Sequence, residues 1–253
     1  MGISLFGFSL AILLFIYNAQ AQTLPRKATP EQKKSVNLQQ AIDSLGKSKK
    51  VAGNNQDPID LDTSAKKLKD VGLDLLLNKN HPIEGIRKIE EAIKIDPRMP
   101  SAYNALWLYY AQAKKSPTTA LNYLKKGAKH CPKSSLIRAD LGNTYSQLNE
   151  HEKAIEQFKE AVVLGTENEG SILYNIGNSF IALNQKSNAI LYYNKAINVD
   201  KKHFNARRNL AITYYQTGNS KNAVEHLKRL IQLDQNGEHG KWAQLALKQI
   251  APQ

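Results

Sequence analysis

The chain has 253 residues, 42% of them hydrophobic, and a formal net charge of +13. That length allows one or two ordinary domains or a single extended array, with enough apolar residues for a packed core. The single cysteine, Cys131, excludes an intramolecular disulfide, and the positive charge comes without zinc-finger spacing or an RNA-binding aromatic signature. Lysine supplies most of the charge and is spread along the chain. Such a spread reads first as a solvated helical surface, and second as attraction to acidic partners, nucleic acid or anionic lipid.

Residues 3–17 are uncharged and apolar apart from Ser4 and Ser9, and the small-x-small triplet Ala19-Gln20-Ala21 precedes Gln22. This layout predicts a secretory signal peptide over 1–21 and an exported protein, periplasmic or extracellular. The apolar run is shorter than the roughly 20 residues a membrane helix needs, so an anchor retained through residues 3–17 is the alternative. Arg26, Lys27, Lys33 and Lys34 follow the segment and none precedes it, which opposes export by the positive-inside tendency. No cysteine stands at the cleavage position, so a lipid-modified product is not expected.

Residues 22–65 read as a flexible basic arm. They include Pro25, Pro30, Pro58 and the polar run Gly53-Asn54-Asn55-Gln56-Asp57, which cannot bury enough surface to offset chain entropy. A short helix over 31–45 is the one regular element the pattern offers there, with Val36, Leu38, Ile42 and Leu45 as a weak stripe. Leu45-Gly46-Lys47-Ser48 mimics the end of a phosphate-binding loop. Ala41 occupies the place of its first glycine, however, and no strand pattern precedes it.

From about residue 66 the chain repeats with a period near 34. The clearest copy runs Leu141-Gly142, Tyr145, Asn149, Ala154, Phe158, Ala161. The next reads Ile176-Gly177, Phe180, Asn184, Ala189, Tyr193, Ala196. The third reads Leu210-Ala211, Tyr214, Gly218, Ala223, Leu227, Leu230. Each copy has two amphipathic helices by its apolar intervals, and nothing alternates with the period of a strand. The small residues Gly142, Gly177 and Ala211 let the first helix approach the second, and Ala154, Ala189 and Ala223 do the same from the other side. Tyr145, Phe180 and Tyr214 are expected to fill the space between. Asn149, Asn184 and Gly218 stand where the chain turns and tolerate left-handed geometry.

Two weaker copies precede these. One keeps Ala120, Leu124 and Pro132 with Trp107 and Tyr110; the other keeps Asn80, Ile89, Ala92 and Pro97, with Gly85 in an alanine's place and Gly72 shifted by one residue. These copies resemble tetratricopeptide repeats over roughly three quarters of the chain. The resemblance implies an all-α, right-handed superhelical solenoid of about five helix-turn-helix repeats, at 66–100, 101–134, 135–169, 170–203 and 204–237. A terminal capping helix over 238–253 would shield the last apolar face. It also implies a concave groove that holds an extended or helical segment of another protein.

The groove candidates are polar residues of the first helices: Asp140, Asn143, Tyr174, Asn175, Asn178, Asn205, Arg208 and Asn209. Asn175 and Asn209 recur in register, and an amide offers a donor and an acceptor to any peptide backbone. The competing reading makes them plain polar surface, or bonds them to a neighbouring helix. The family's carboxylate clamp needs lysines where Ala139 and Asn205 stand, so it is not expected, although Arg208 could pair with an acidic peptide side chain. Tyr215, adjacent to the inward Tyr214, is a candidate contact.

Histidines 81, 130, 151, 203, 226 and 239 show no metal-site spacing, and no nucleophile elbow or glycine-rich cradle appears. The sequence therefore predicts a non-catalytic interaction scaffold without cofactor, metal or small-molecule substrate. Specific nucleic-acid binding is not expected, whereas self-association is possible. The alternatives are a basic polyanion- or membrane-surface binder and a self-assembling structural solenoid.

Overall fold

The computed structural model describes residues 63–77 and 81–250. The expected signal segment, the helix over 31–45, the arm up to residue 62 and Asn80 lie outside these residues. The described residues form eleven helices and no strand: α1 Thr63–Leu77, α2 Pro82–Ile95, α3 Pro100–Trp107, α4 Pro117–His130, α5 Ser135–Gln147, α6 His151–Leu164, α7 Glu169–Ala182, α8 Lys186–Val199, α9 Phe204–Gln216, α10 Ser220–Leu233 and α11 Glu238–Ile250. None of the described helices is long and apolar enough to cross a membrane.

Each odd-numbered helix from α1 to α9 packs on the next as a hairpin, and each hairpin packs on its neighbour. First helices also touch one another, α3 with α5 and α5 with α7. The result is an all-α solenoid of five helix pairs, closed by α11. Its core has no single centre. One cluster runs without a break from Ala154 through Phe158, Ile176 and Tyr193 to Leu210, and others lie at the two ends of the array.

The turns follow backbone chemistry. Asn149, Asn184 and Gly218 have φ of 60°, 57° and 79°, and Lys115 at the same register has φ of 52°. Asparagine and glycine occupy this region readily, whereas a lysine there is uncommon. Proline opens α2, α3 and α4, where its missing N–H costs no hydrogen bond. The Ser134 hydroxyl caps α5 by accepting from the Ile137 N–H at 3.2 Å.

Close helix crossings explain the glycines. A methyl group added at Gly142 would lie 2.5 Å from the Phe158 ring, and one at Gly177 would lie 2.5 Å from the Tyr193 ring. Both rings are fully buried. The rings seated on the glycines thus come from the second helices. The expected fillers Tyr145 and Tyr214 are only partly buried and pack on the edge of the cluster.

In the first pair, Gly72 and Gly85 face each other. A Cβ at Gly85 would lie 2.7 Å from the Gly72 carbonyl oxygen, and one at Gly72 would lie 2.8 Å from that of Gly85. Here backbone meets backbone, so the register shift of Gly72 places two glycines at one crossing. The second pair differs in another way. Its first helix continues beyond α3 as a π-helical turn, Leu108–Ala113, in which the Lys114 N–H reaches the Tyr109 carbonyl at 2.9 Å.

Candidate functional site

Polar side chains cross between successive first helices from α3 to α9, on one face of the array, here called the inner face. Between α3 and α5, Asn104 Nδ2 donates to Asp140 Oδ2 at 2.7 Å and Trp107 Nε1 donates to Thr144 Oγ1 at 2.9 Å. Between α5 and α7, Asn175 Nδ2 donates to Asn143 Oδ1 at 3.2 Å. Between α7 and α9, Asn209 Nδ2 donates to Asn178 Oδ1 at 3.0 Å, with the hydroxyls of Tyr174 and Tyr193 at 3.4 and 3.5 Å. The Tyr193 hydroxyl donates to the same Asn178 oxygen at 2.7 Å. Burial pushes the Tyr193 phenol well above its usual pKa, so it stays a donor at neutral pH.

The asparagines recur because the repeats place them three residues apart on α7, where Asn175 faces back to α5 and Asn178 faces forward to α9. Each inter-helix amide pair uses one donor and one acceptor. Asn143 and Asn178 keep their Nδ2 groups, and Asn175 and Asn209 keep their Oδ1 groups, for another partner. Beneath the α5–α7 pair lies an open depression of about 380 Å³. Asn143, Asn175 and Asn178 line it with Gln112, Gln147 and Ser179. A donor and an acceptor side by side are what one peptide unit of an extended chain requires.

The other candidates divide. Asn205 is exposed and Tyr215 half-buried, whereas Asp140 is 4% exposed and held by Asn104. Tyr174 is half-buried, its ring 5.0 Å from that of His203 and 5.9 Å from that of Tyr193. Arg208 is 8% exposed and turned toward α11, its guanidinium 4.4 Å from the centre of the Trp242 ring. Burial lowers its pKa, while Glu238 and Tyr174 act in the opposite direction. Arg208 thus joins the last hairpin to the cap and does not front the depression. The sequence reading missed Gln112, Gln147 and the braces Thr144, Ser179 and Thr213. Each brace hydroxyl donates to the carbonyl four residues earlier, at 2.7, 3.0 and 2.7 Å. Their recurrence at one register was visible, because each follows Asp140, Asn175 or Asn209 by four positions.

His203 adds a titratable element. Its Nδ1 accepts from the Ala206 N–H at 3.2 Å and caps α9, a role only the neutral ring performs. Burial lowers its pKa, partly offset by Asp200. In the folded chain the ring therefore binds fewer protons than in the unfolded chain. Its stabilising contribution is present above the unfolded value near 6.5 and is lost as pH falls below it. His203→Asn keeps a capping acceptor that does not titrate. Thermal denaturation followed by circular dichroism should then depend less on pH between about 7 and 5. Some dependence remains, because burial also lowers the pKa of His226. A slope equal to the parent's would remove His203 from this role.

Residues 137–163, 170–203 and 207–236 match the family model of the tetratricopeptide repeat. The matched segments run from α5 to α10. A crystal structure of MamA protein is similar, with TM-score 0.60 and 22% identity, covering 68% of this chain and 92% of that one. Pseudomonas aeruginosa PilF matches with TM-score 0.59 and 17% identity, over 75% and 92% of the two chains. PilW, a widely conserved type IV pilus biogenesis factor, matches with TM-score 0.61 and 17% identity, over 75% and 88%. At these identities the likeness is one of fold. No curated protein matches the chain.

Proposed function

We propose that the chain is a non-catalytic scaffold whose inner face holds an extended segment of another polypeptide, chiefly by its backbone. The observation that carries this reading is the pair of asparagine bridges, each with one free donor and one free acceptor; the α5–α7 bridge and Asn178 of the next one front the depression. Amides recognise backbone whatever the peptide's side chains, so affinity would come from the spacing of successive bridges along the array. We place the protein outside the cytoplasm, in an envelope assembly, on the strength of the apolar run 3–17 and Ala19-Gln20-Ala21. The fold shared with PilW, a pilus biogenesis factor, is compatible with such a setting.

The test removes the bridge without unfolding the stack. Deleting one amide of a bonded pair strands its partner, whereas replacing both with apolar groups of similar shape is close to neutral. Asn143→Leu combined with Asn175→Leu should leave helicity and melting near the parent's. Capture of the partner in pull-downs from the source cells should weaken by roughly tenfold, the range expected for losing one well-buried hydrogen-bonding pair. Undiminished capture by a folded double variant would refute backbone holding at this bridge.

A further inference from the structure

The +13 charge is not evenly laid on the array. Residues 97–139 contain six lysines and two arginines and no aspartate or glutamate. Arg98 pairs with Asp96 and Arg138 with Glu160, but Lys114, Lys115, Lys125, Lys126, Lys129 and Lys133 are all exposed. Among the described residues none of these six takes part in an ion pair. Reading the charge as a uniform spread overlooks this concentration.

The fold gathers five of the six on one element and its start. Lys125, Lys126 and Lys129 lie on the exposed side of α4, and Lys114 and Lys115 sit in the turn that leads into it. Lys133 follows the helix end. Tyrosines hold part of this set in place. Lys114 lies 5.7 Å from the Tyr109 ring and Lys126 5.7 Å from the Tyr123 ring, and Tyr123 stacks on Tyr110 at 5.4 Å. The Tyr123 hydroxyl is fixed by Glu90 at 2.7 Å.

The hairpins on either side bear mixed charge. The α2 helix carries Glu84, Glu90 and Glu91 beside Arg87, Lys88 and Lys94, and α6 carries Glu152, Glu156 and Glu160 beside Lys153 and Lys159. The cationic strip is thus one helix wide and, for a 14-residue helix, about 21 Å long. A membrane plane or nucleic-acid duplex lying on it would also press phosphates against the glutamates of α2 and α6. One narrow acidic chain would not.

We propose that the outer side of α4 is a second docking surface, which takes an acidic segment of a partner polypeptide lying along the helix. The inference is independent of the inner face, because Asn143 and Asn175 contribute nothing to it. The test uses fluorescence anisotropy with a short labelled Glu/Ala peptide. Its competitors are vesicles of phosphatidylcholine with phosphatidylglycerol, and duplex DNA.

The parent chain should bind the peptide, with affinity falling steeply as salt rises. Lys125→Glu, Lys126→Glu and Lys129→Glu together should weaken it by roughly tenfold or more, since exposed pairs are lost and repulsion is added. The Asn143→Leu, Asn175→Leu variant should keep the salt-dependent part of the binding that the three lysines supply. All three lysines are exposed, so the triple variant should keep the parent's circular dichroism; if it does not, Lys125→Gln, Lys126→Gln and Lys129→Gln replace it. The proposal is overturned if the parent does not bind the peptide or if neutralising these lysines leaves binding unchanged. Tighter binding of vesicles or DNA through the same lysines would also overturn it, as would light scattering that shows the strip occupied by a second copy of the chain.

Discussion

Phe158→Ala is expected to lower the stability of the array by about 3–5 kcal/mol, the range for truncating a fully buried aromatic ring. For a chain of this size that corresponds to a fall in melting temperature of roughly 6–20 °C. Phe158 is 0% exposed and seated on Gly142, so its removal opens a hole at the α5–α6 crossing, inside the longest continuous core cluster. The companion substitution makes the argument sharper.

Gly142→Ala gains about 1 kcal/mol of helix propensity. In the parent, however, its methyl group would lie 2.5 Å from two atoms of the Phe158 ring. Overpacking of that kind costs about 1–3 kcal/mol, so the substitution is neutral to destabilising in the parent. In the Phe158→Ala background the ring is gone and only the propensity gain remains. Gly142→Ala should then stabilise. Denaturant titrations of the four proteins measure the coupling. Strict additivity would show that the glycine and the ring do not share one crossing.

Much of this architecture was legible in the sequence, for definite reasons. Burial makes one stripe of each helix apolar, so the spacing from Leu141-Gly142 to Phe158 and from Ile176-Gly177 to Tyr193 reveals both the helices and their close approach. The turn at Asn149 and Asn184 was readable because few residues accept a positive φ. Lys115 at the same register was not, since nothing in a lysine announces left-handed backbone. The π-helical turn at Leu108–Ala113 was hidden as well, because it ends the helix and no apolar stripe continues beyond it to show the changed register.

The candidate site was readable only in part. Asn175 and Asn209 stood out by register, but their bonds to Asn143 and Asn178 depend on how far one hairpin is rotated against the next. That rotation is set by side-chain packing across hairpins, and the period of a single repeat does not encode it. The same rotation carries Arg208 onto Trp242 of the cap and buries Asp140 against Asn104. Both residues look like free polar surface when α5 and α9 are drawn as isolated helices.

If the asparagine bridges of the inner face hold another chain, residues beside them lie within reach of it in the cell. Site-specific photo-crosslinking in intact source cells tests this directly. A benzophenone amino acid would replace Asn143 or Asn178 on the inner face, or Leu191 on α8, which is 49% exposed. A discrete adduct of one polypeptide is expected at both inner positions and none at Leu191. An adduct at Leu191 with none at Asn143 or Asn178 would contradict inner-face binding.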